Sequence, residues 1–131
     1  MAKIFTYKGK TEEELKQLDL NAFAQLVPSR VRRVFRRGFS EQEQKLLAKI
    51  VKAKEGKYKK MIKTHCREMP ILPIMFGLKI AVHNGKEFVP VQINAEMVGN
   101  RLGDFVLNAK DVKHGGPGIG ATRGSKFLSV K

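Results

Sequence analysis

The sequence predicts an α+β fold in which short N-terminal helices flank a small sheet with a β-hairpin, followed by an extended glycine-rich C-terminal tail. Two spacings of a hydroxyl residue and a glutamate in the first half match the capping box that begins a helix. The dipeptide Asn84-Gly85 lies between two apolar segments, as in a tight hairpin. Five of the residues 115–124 are glycine, a composition that favours neither a regular element nor a core.

The first two helices are predicted from their N-terminal signals. Thr11 and Glu14 place a helix start near residue 12, after a short arm over residues 1–10. A second short helix is expected after Asp19, and Pro28 ends that stretch.

The next two helices are predicted from capping and periodicity. A short, very basic helix is expected over residues 29–37, before Gly38, a residue type that accepts the left-handed conformation after a helix end. A longer helix is predicted over residues 41–54, because Ser40 and Glu43 repeat the capping-box spacing. Its apolar residues recur at helical intervals and are Leu46, Leu47, Ile50 and Val51.

The second half is predicted to change from helix to strand. Residues 57–67 lack periodicity and are expected to form a basic connector, and Pro70 and Pro73 argue against a helix after it. Residues 78–93 are predicted to form a β-hairpin. Its centre, Asn84-Gly85, suits a type I′ turn because both residue types accept positive φ.

A further short helix is predicted after the hairpin, with Asn94 as its N-cap and its end near Leu102. Gly99 within it costs about 1 kcal/mol relative to alanine, so we expect a close approach at that position. The chain is then expected to have three parts: an arm with short helices (1–27), a basic helical region plus an α+β core (28–108) and a basic glycine-rich tail (109–131).

Charge is the strongest functional signal. The 131 residues include 26 Lys and Arg against 12 acids, for a formal net charge of +14. Residues 28–67 carry +11, from 14 bases and 3 acids, and residues 105–131 carry +4, from 5 bases and 1 acid. Because such an excess repels itself in a compact fold, it implies an anionic partner, and nucleic acid fits best. A membrane fits less well because no long apolar run is present, and the N-terminus lacks the apolar segment of a secretory signal.

The basic helix and connector are interpreted as nucleic-acid contacts rather than a solvated face. Five arginines within residues 30–37 lie on adjacent turns, where like charges repel, and the guanidinium fork suits phosphate. The hairpin tip and the segment from Gly99 to Gly103 are expected to let backbone approach RNA closely, and His83 at the tip is expected to be exposed. The apolar hairpin residues are expected to be core or strand-face residues rather than a stacking platform; they are Val82, Phe88, Val89 and Val91. The predicted RNA-binding residues are Arg30, Arg32, Arg33, Arg36, Arg37, Lys57, Lys59, Lys60, Lys63, Thr64, His65, Arg67, His83, Asn84, Gly85, Lys86, Gly99, Asn100, Arg101 and Gly103. Those predicted in the tail are Lys110, Lys113, His114, Arg123 and Lys126.

No catalytic, cofactor or metal site is predicted. The tail lacks the GxxxxGK of a phosphate-binding loop, since Ala121 follows Gly120, so it is either a flexible linker or a backbone that passes close to RNA. His65 and Cys66 lack the paired spacing of a zinc site, and no third group can be nominated to orient a catalytic dyad. We therefore expect a non-enzymatic protein without a cofactor or a small-molecule substrate.

Residues 80–105, IAVHNGKEFVPVQINAEMVGNRLGDF, resemble the signature block of the ribosomal small-subunit protein nineteen family, a universal component of the subunit head. The matching positions are Asn84, Gly85, Lys86, Ile93, Val98, Gly99, Leu102, Gly103, Asp104 and Phe105. The resemblance covers about residues 63–127. The tail VKHGGPGIGATRGSKF is similar to that of the archaeal and eukaryotic cytosolic branch, and Asn108 stands where the family usually has Ser or Thr.

The resemblance implies a small α+β domain with about three strands that binds small-subunit rRNA in the head, beside neighbouring head proteins. It also implies a cytoplasmic, ribosomal location and a tail that reaches toward the decoding region and the A- and P-site tRNAs. Charge and periodicity alone show only a basic, partly folded chain. An RNA- or DNA-binding module outside the ribosome is the alternative, and a nuclease is a weaker one because no site supports it.

Overall fold

A computed structural model describes residues 4–113 of the chain. Four helices come first: α1 (Glu12–Gln17), α2 (Leu20–Leu26), α3 (Ser29–Arg37) and α4 (Glu41–Lys54). Three strands follow: β1 (Ile62–Thr64), β2 (Lys79–His83) and β3 (Phe88–Gln92). Single 3-10 turns occupy Pro73–Met75, Ala95–Met97 and Leu102–Phe105. The α+β class is confirmed, whereas the glycine-rich stretch from residue 114 onward lies outside the described residues.

The helix boundaries follow the local signals. The backbone N–H of Thr11 donates to the Glu14 carboxylate at 2.8 Å, and the N–H of Ser40 donates to the Glu43 carboxylate at the same distance. Each glutamate N–H is in turn capped by the hydroxyl, so both predicted capping boxes are present. Gly38 follows α3 with a φ of 84°. All four predicted helices are confirmed.

The sheet has the order β1-β2-β3, with β1 parallel to β2 and β2 antiparallel to β3. The predicted hairpin is therefore confirmed, but its turn type is wrong. His83 pairs with Phe88, so four residues form the loop, and Asn84 does not have a positive φ. The Asn84 Oδ1 instead accepts hydrogen bonds from the N–H groups of Lys86 and Glu87 at 2.9 and 2.8 Å. This side-chain turn replaces the backbone geometry of a type I′ turn.

β1 lies within residues 57–67, which the sequence predicted as a connector without a strand. Ile62 pairs with Ile80 and Thr64 with Val82, so the strand depends on partners far along the chain. Three residues are too few for a visible alternation, and this explains the missed strand. The Pro73–Met75 turn was also missed, and its proline occupies the first turn, where no N–H is needed.

The single helix predicted from Asn94 to Leu102 is wrong, because two 3-10 turns separated by residues 98–101 replace it. Gly99 has a φ of 86°, which interrupts a right-handed helix, and the Asn94 side chain makes no capping bond. The backbone between the turns pairs elsewhere, since the Ile71 N–H donates to the Asn100 carbonyl at 3.0 Å. Tertiary pairing therefore takes the hydrogen bonds that a helix would have used.

The core is one cluster that joins the helices to the inner face of the sheet. Alternation along the strands places Ile62, Ile80, Val82 and Val91 on that face. Residues from the helices complete it, including Leu15, Phe23, Val31 and Ile50. The outer face carries polar and aromatic side chains. Within residues 4–113 no helix is long and apolar enough to span a bilayer.

Candidate nucleic-acid interface

The exposed face of α3 carries the densest positive charge in the described part of the chain. The side chains of Arg33, Arg36 and Arg37 are exposed and make no hydrogen bond or ion pair with residues 4–113. A surface depression of about 470 Å³ lies beside them, lined by Ser29, Arg30, Arg32, Arg33 and Arg36. Several guanidinium groups around one depression suit an anion with many acceptor oxygens, such as a phosphate backbone.

Two other arginines of α3 are engaged within the protein. Arg32 donates to the carbonyls of Ala24, Gln25 and Val27 at 3.0, 3.0 and 3.1 Å, which caps the C-terminal end of α2. Arg30 forms an ion pair with Asp104 at 2.9 Å, with both side chains substantially exposed. An exposed pair contributes little to stability, so Arg30 can exchange Asp104 for another anion at small cost.

Arg67 lies at the centre of a main-chain network. Its Nη1 donates to the carbonyl of His83 at 2.8 Å, and its Nη2 donates to the carbonyls of Gly103 and Val106. Its own carbonyl accepts from the Gly103 N–H at 2.8 Å. Arg67 therefore connects β1, the hairpin tip and the last 3-10 turn, a structural role that explains its position independently of RNA.

The connector lysines are exposed and lead from α4 into β1. Lys59, Lys60 and Lys63 have no ion pair within residues 4–113, whereas Lys57 contacts the Glu55 carboxylate at 2.6 Å. Thr64 differs from them, because it is buried and its Oγ1 accepts from the Cys66 N–H at 2.9 Å. Thr64 therefore shapes the turn after β1, and the lysines are the residues of this segment that can reach a phosphate.

The hairpin tip is only partly exposed. Gly85 and Lys86 are exposed, but His83, which the sequence predicted to be exposed, is half-buried between the rings of His65 and Phe88. From the sequence, Phe88 was expected to be a core or strand-face residue rather than part of a stacking platform. The sequence held no local signal for this ring cluster, because its members come from three separate strand ends.

The segment after the hairpin packs against the protein itself. A Cβ at Gly99 would lie 2.6 Å from the Tyr7 hydroxyl, so the predicted close approach is present and involves the N-terminal arm. A Cβ at Gly103 would lie 2.9 Å from both the Cβ and the carbonyl oxygen of Arg67. Asn100 and Arg101 are half-buried, and the Arg101 Nε is buried without a hydrogen-bond partner in residues 4–113. Close contacts within the protein therefore explain why glycine occupies both positions.

In residues 4–113 no cluster of three or more His, Cys, Asp or Glu side chains could hold a metal ion. Burial raises the pKa of the Tyr7 phenol above its ordinary value of 10.0.

In the tail, Lys110 and Lys113 are exposed and belong to no regular element. The other predicted tail contacts, His114, Arg123 and Lys126, lie outside the described residues.

The match to a known family covers much of this surface. The family described as Ribosomal protein S19 matches residues 33–114, more than half of the chain. The chain belongs to the ribosomal protein S19 family. As an S19 protein it is a non-enzymatic structural component of the small ribosomal subunit that binds rRNA, and its partners are rRNA and ribosomal proteins. The matched segment contains Arg33, Arg36 and Arg37, all of α4 and the whole sheet.

Proposed function

We propose that this S19 chain is a scaffold of the subunit head that neutralises phosphates where rRNA helices converge. The observation that supports it best is the division among the arginines of α3. The side chains of Arg33, Arg36 and Arg37 face solvent and have no partner among residues 4–113, whereas Arg32 is held by main-chain carbonyls. The connector lysines extend the same charge toward the sheet. Recognition is of backbone and shape, because the major groove of A-form RNA is too narrow for side chains.

The test is the salt dependence of binding to a head-domain rRNA fragment. Replacing Arg33, Arg36 and Arg37 together with Ala removes three phosphate contacts, so the slope of log K against log salt falls by roughly 2 to 3. The matched control replaces Lys45, Lys49 and Lys52, which are exposed on α4 and remove the same charge. We expect the control to change the slope by less than half as much. Equal slopes for both triple variants would refute a specific role for α3.

The finer assignment concerns the tail. We infer that residues 109–131 extend toward the decoding region and the A- and P-site tRNAs, and that the chain is of the archaeal and eukaryotic cytosolic type. Support comes from the charge of the tail, from the glycines that let backbone approach RNA, and from the likeness of VKHGGPGIGATRGSKF to that branch. Truncation after Asn108 is expected to leave rRNA binding and subunit assembly intact and to weaken tRNA binding to assembled subunits. A block of assembly would contradict this division.

A further inference from the structure

Three rings meet on the outer face of the sheet at its hairpin end. His65 follows β1, His83 ends β2 and Phe88 begins β3. The ring centroids lie 4.3 Å apart for His65 and His83, 5.1 Å for His65 and Phe88, and 4.8 Å for His83 and Phe88. The parallel pairing of β1 with β2 and the antiparallel pairing of His83 with Phe88 bring them together. We call these three residues the ring cluster.

The backbone around the ring cluster is held by hydrogen bonds. The Arg67 N–H donates to the His65 carbonyl at 2.8 Å, and the Arg67 guanidinium donates to the His83 carbonyl at the same distance. The turn at Thr64 fixes the chain beside His65. The Gly85 N–H donates to the His83 Nδ1 at 3.0 Å, and this hydrogen bond fixes the orientation of the ring. The cluster is therefore preorganised before any ligand binds.

The cluster is partly open to solvent and has an ammonium group beside it. His65 and Lys63 are exposed on the same face of the sheet, whereas Glu43 and Glu68 line a depression together with His65. The Lys63 Nζ lies 5.5 Å from the centroid of the Phe88 ring. An exposed ring surface next to an ammonium group has the two parts that a nucleotide requires, a stacking partner for the base and a cation for its phosphate.

We propose that the ring cluster is a stacking site for one unpaired RNA base, whose adjoining phosphate contacts Lys63. The inference rests on the proposed function, because it requires that the chain binds rRNA. A base inside a duplex is covered by its neighbours on both faces, so only a bulged, looped or terminal base can stack on protein rings. The ring cluster therefore adds selectivity for an unpaired nucleotide to the shape and charge recognition by α3.

The probe is an RNA stem with a single bulged 2-aminopurine, compared with the same stem in which that base is paired. Stacking is expected to change the 2-aminopurine fluorescence on binding, and the bulged stem is expected to bind about 5-fold or more tightly than the paired one. Phe88→Leu keeps apolar bulk but removes the ring, and it should abolish the fluorescence change and most of the preference. His65→Ala, at an exposed position, should also reduce the fluorescence change and the preference for the bulged stem. Thermal melts establish that both variants fold.

The outcomes separate the two proposals. Equal affinity of the native protein for both stems, with unchanged 2-aminopurine fluorescence, overturns the stacking site and leaves phosphate binding by α3 intact. The stacking site is also overturned if folded Phe88→Leu binds both stems more weakly to the same extent. The Phe88 ring would then contribute to RNA binding in general and not to recognition of the unpaired base. Absence of binding to either stem by the native protein overturns the proposed function itself. The triple variant of Arg33, Arg36 and Arg37 should bind both stems more weakly by the same factor and should retain the 2-aminopurine fluorescence change on binding.

Discussion

Arg67 offers the sharpest distinction between an RNA contact and a structural clamp. The sequence placed it among the phosphate-binding residues, and the fold gives its guanidinium three main-chain acceptors, the carbonyls of His83, Gly103 and Val106. Arg67→Lys keeps the charge but replaces a planar fork by a single ammonium. If the clamp is the main role, this conservative substitution destabilises the fold and leaves the electrostatic attraction to RNA unchanged.

The magnitude follows from the geometry. The three acceptors are reached from two different guanidinium nitrogens, Nη1 and Nη2, and one lysine Nζ can satisfy about one of them. Each hydrogen bond with a charged donor contributes about 1.5 kcal/mol or more, so losing two costs about 3 kcal/mol of unfolding free energy. For a chain of this length that corresponds to a fall in Tm of roughly 10 °C.

The assay combines urea unfolding, followed by circular dichroism, with RNA binding against salt at a temperature well below the transitions. Arg36→Lys is the control, because Arg36 is exposed and has no partner within residues 4–113. We expect a lower midpoint at an unchanged m-value for Arg67→Lys, and for folded Arg67→Ala a fall in the salt slope much smaller than that of one lost phosphate contact. A stability within about 0.5 kcal/mol of the native protein for Arg67→Lys, together with a slope reduced by about 0.7 to 0.9 for Arg67→Ala, would refute the clamp.

Three further predictions concern the fold. Gly99→Ala should destabilise the protein by more than Gly77→Ala, because both positions have positive φ, at 86° and 81°, and only Gly99 adds a contact with the Tyr7 hydroxyl; equal urea midpoints would contradict this. The phenol of Tyr7 is favoured in its neutral form in the folded state, since burial raises its pKa. Stability relative to Tyr7→Phe should thus be constant below about pH 10 and fall above it as the unfolded chain ionises first, whereas a constant difference through pH 11 would count against burial of that hydroxyl. Ser40→Ala should cost about 1 kcal/mol by removing the cap on the Glu43 N–H, and thermal melts that coincide with those of the native protein would show that the cap contributes nothing.

The helices were predictable because their signals are local. Capping boxes and apolar spacing act within a few residues, so Ser40 and Glu43 place the start of α4 without reference to the rest of the chain. β1 could not be found in the same way, since the pairing of Ile62 with Ile80 joins residues on either side of a 3-10 turn. A three-residue strand can be recognised only when its pairing partner is known.

The region after the hairpin shows how tertiary contacts override a local preference. Asn94 is a good helix N-cap in isolation, but the chain after it forms two short 3-10 turns. The positive φ of Gly99 and the hydrogen bond from the Ile71 N–H to the Asn100 carbonyl interrupt the helix. The cost that Gly99 imposes on a helix could be predicted from the sequence. The close approach of Gly99 to the Tyr7 hydroxyl could be seen only in the structure.

The candidate interface likewise has one part that the sequence predicts and one part that only the fold determines. Composition identified the basic residues, but the count of +11 for residues 28–67 treats all arginines alike. Arg32 and Arg67 donate to neutral carbonyls, which satisfy their hydrogen bonds without cancelling their charge. Both therefore add to the field that attracts RNA over about a Debye length, while the phosphate contacts that we propose are those of Arg33, Arg36 and Arg37. Sequence can thus predict the field of such a protein, whereas assigning the contacts requires knowing which guanidinium groups the fold has already used.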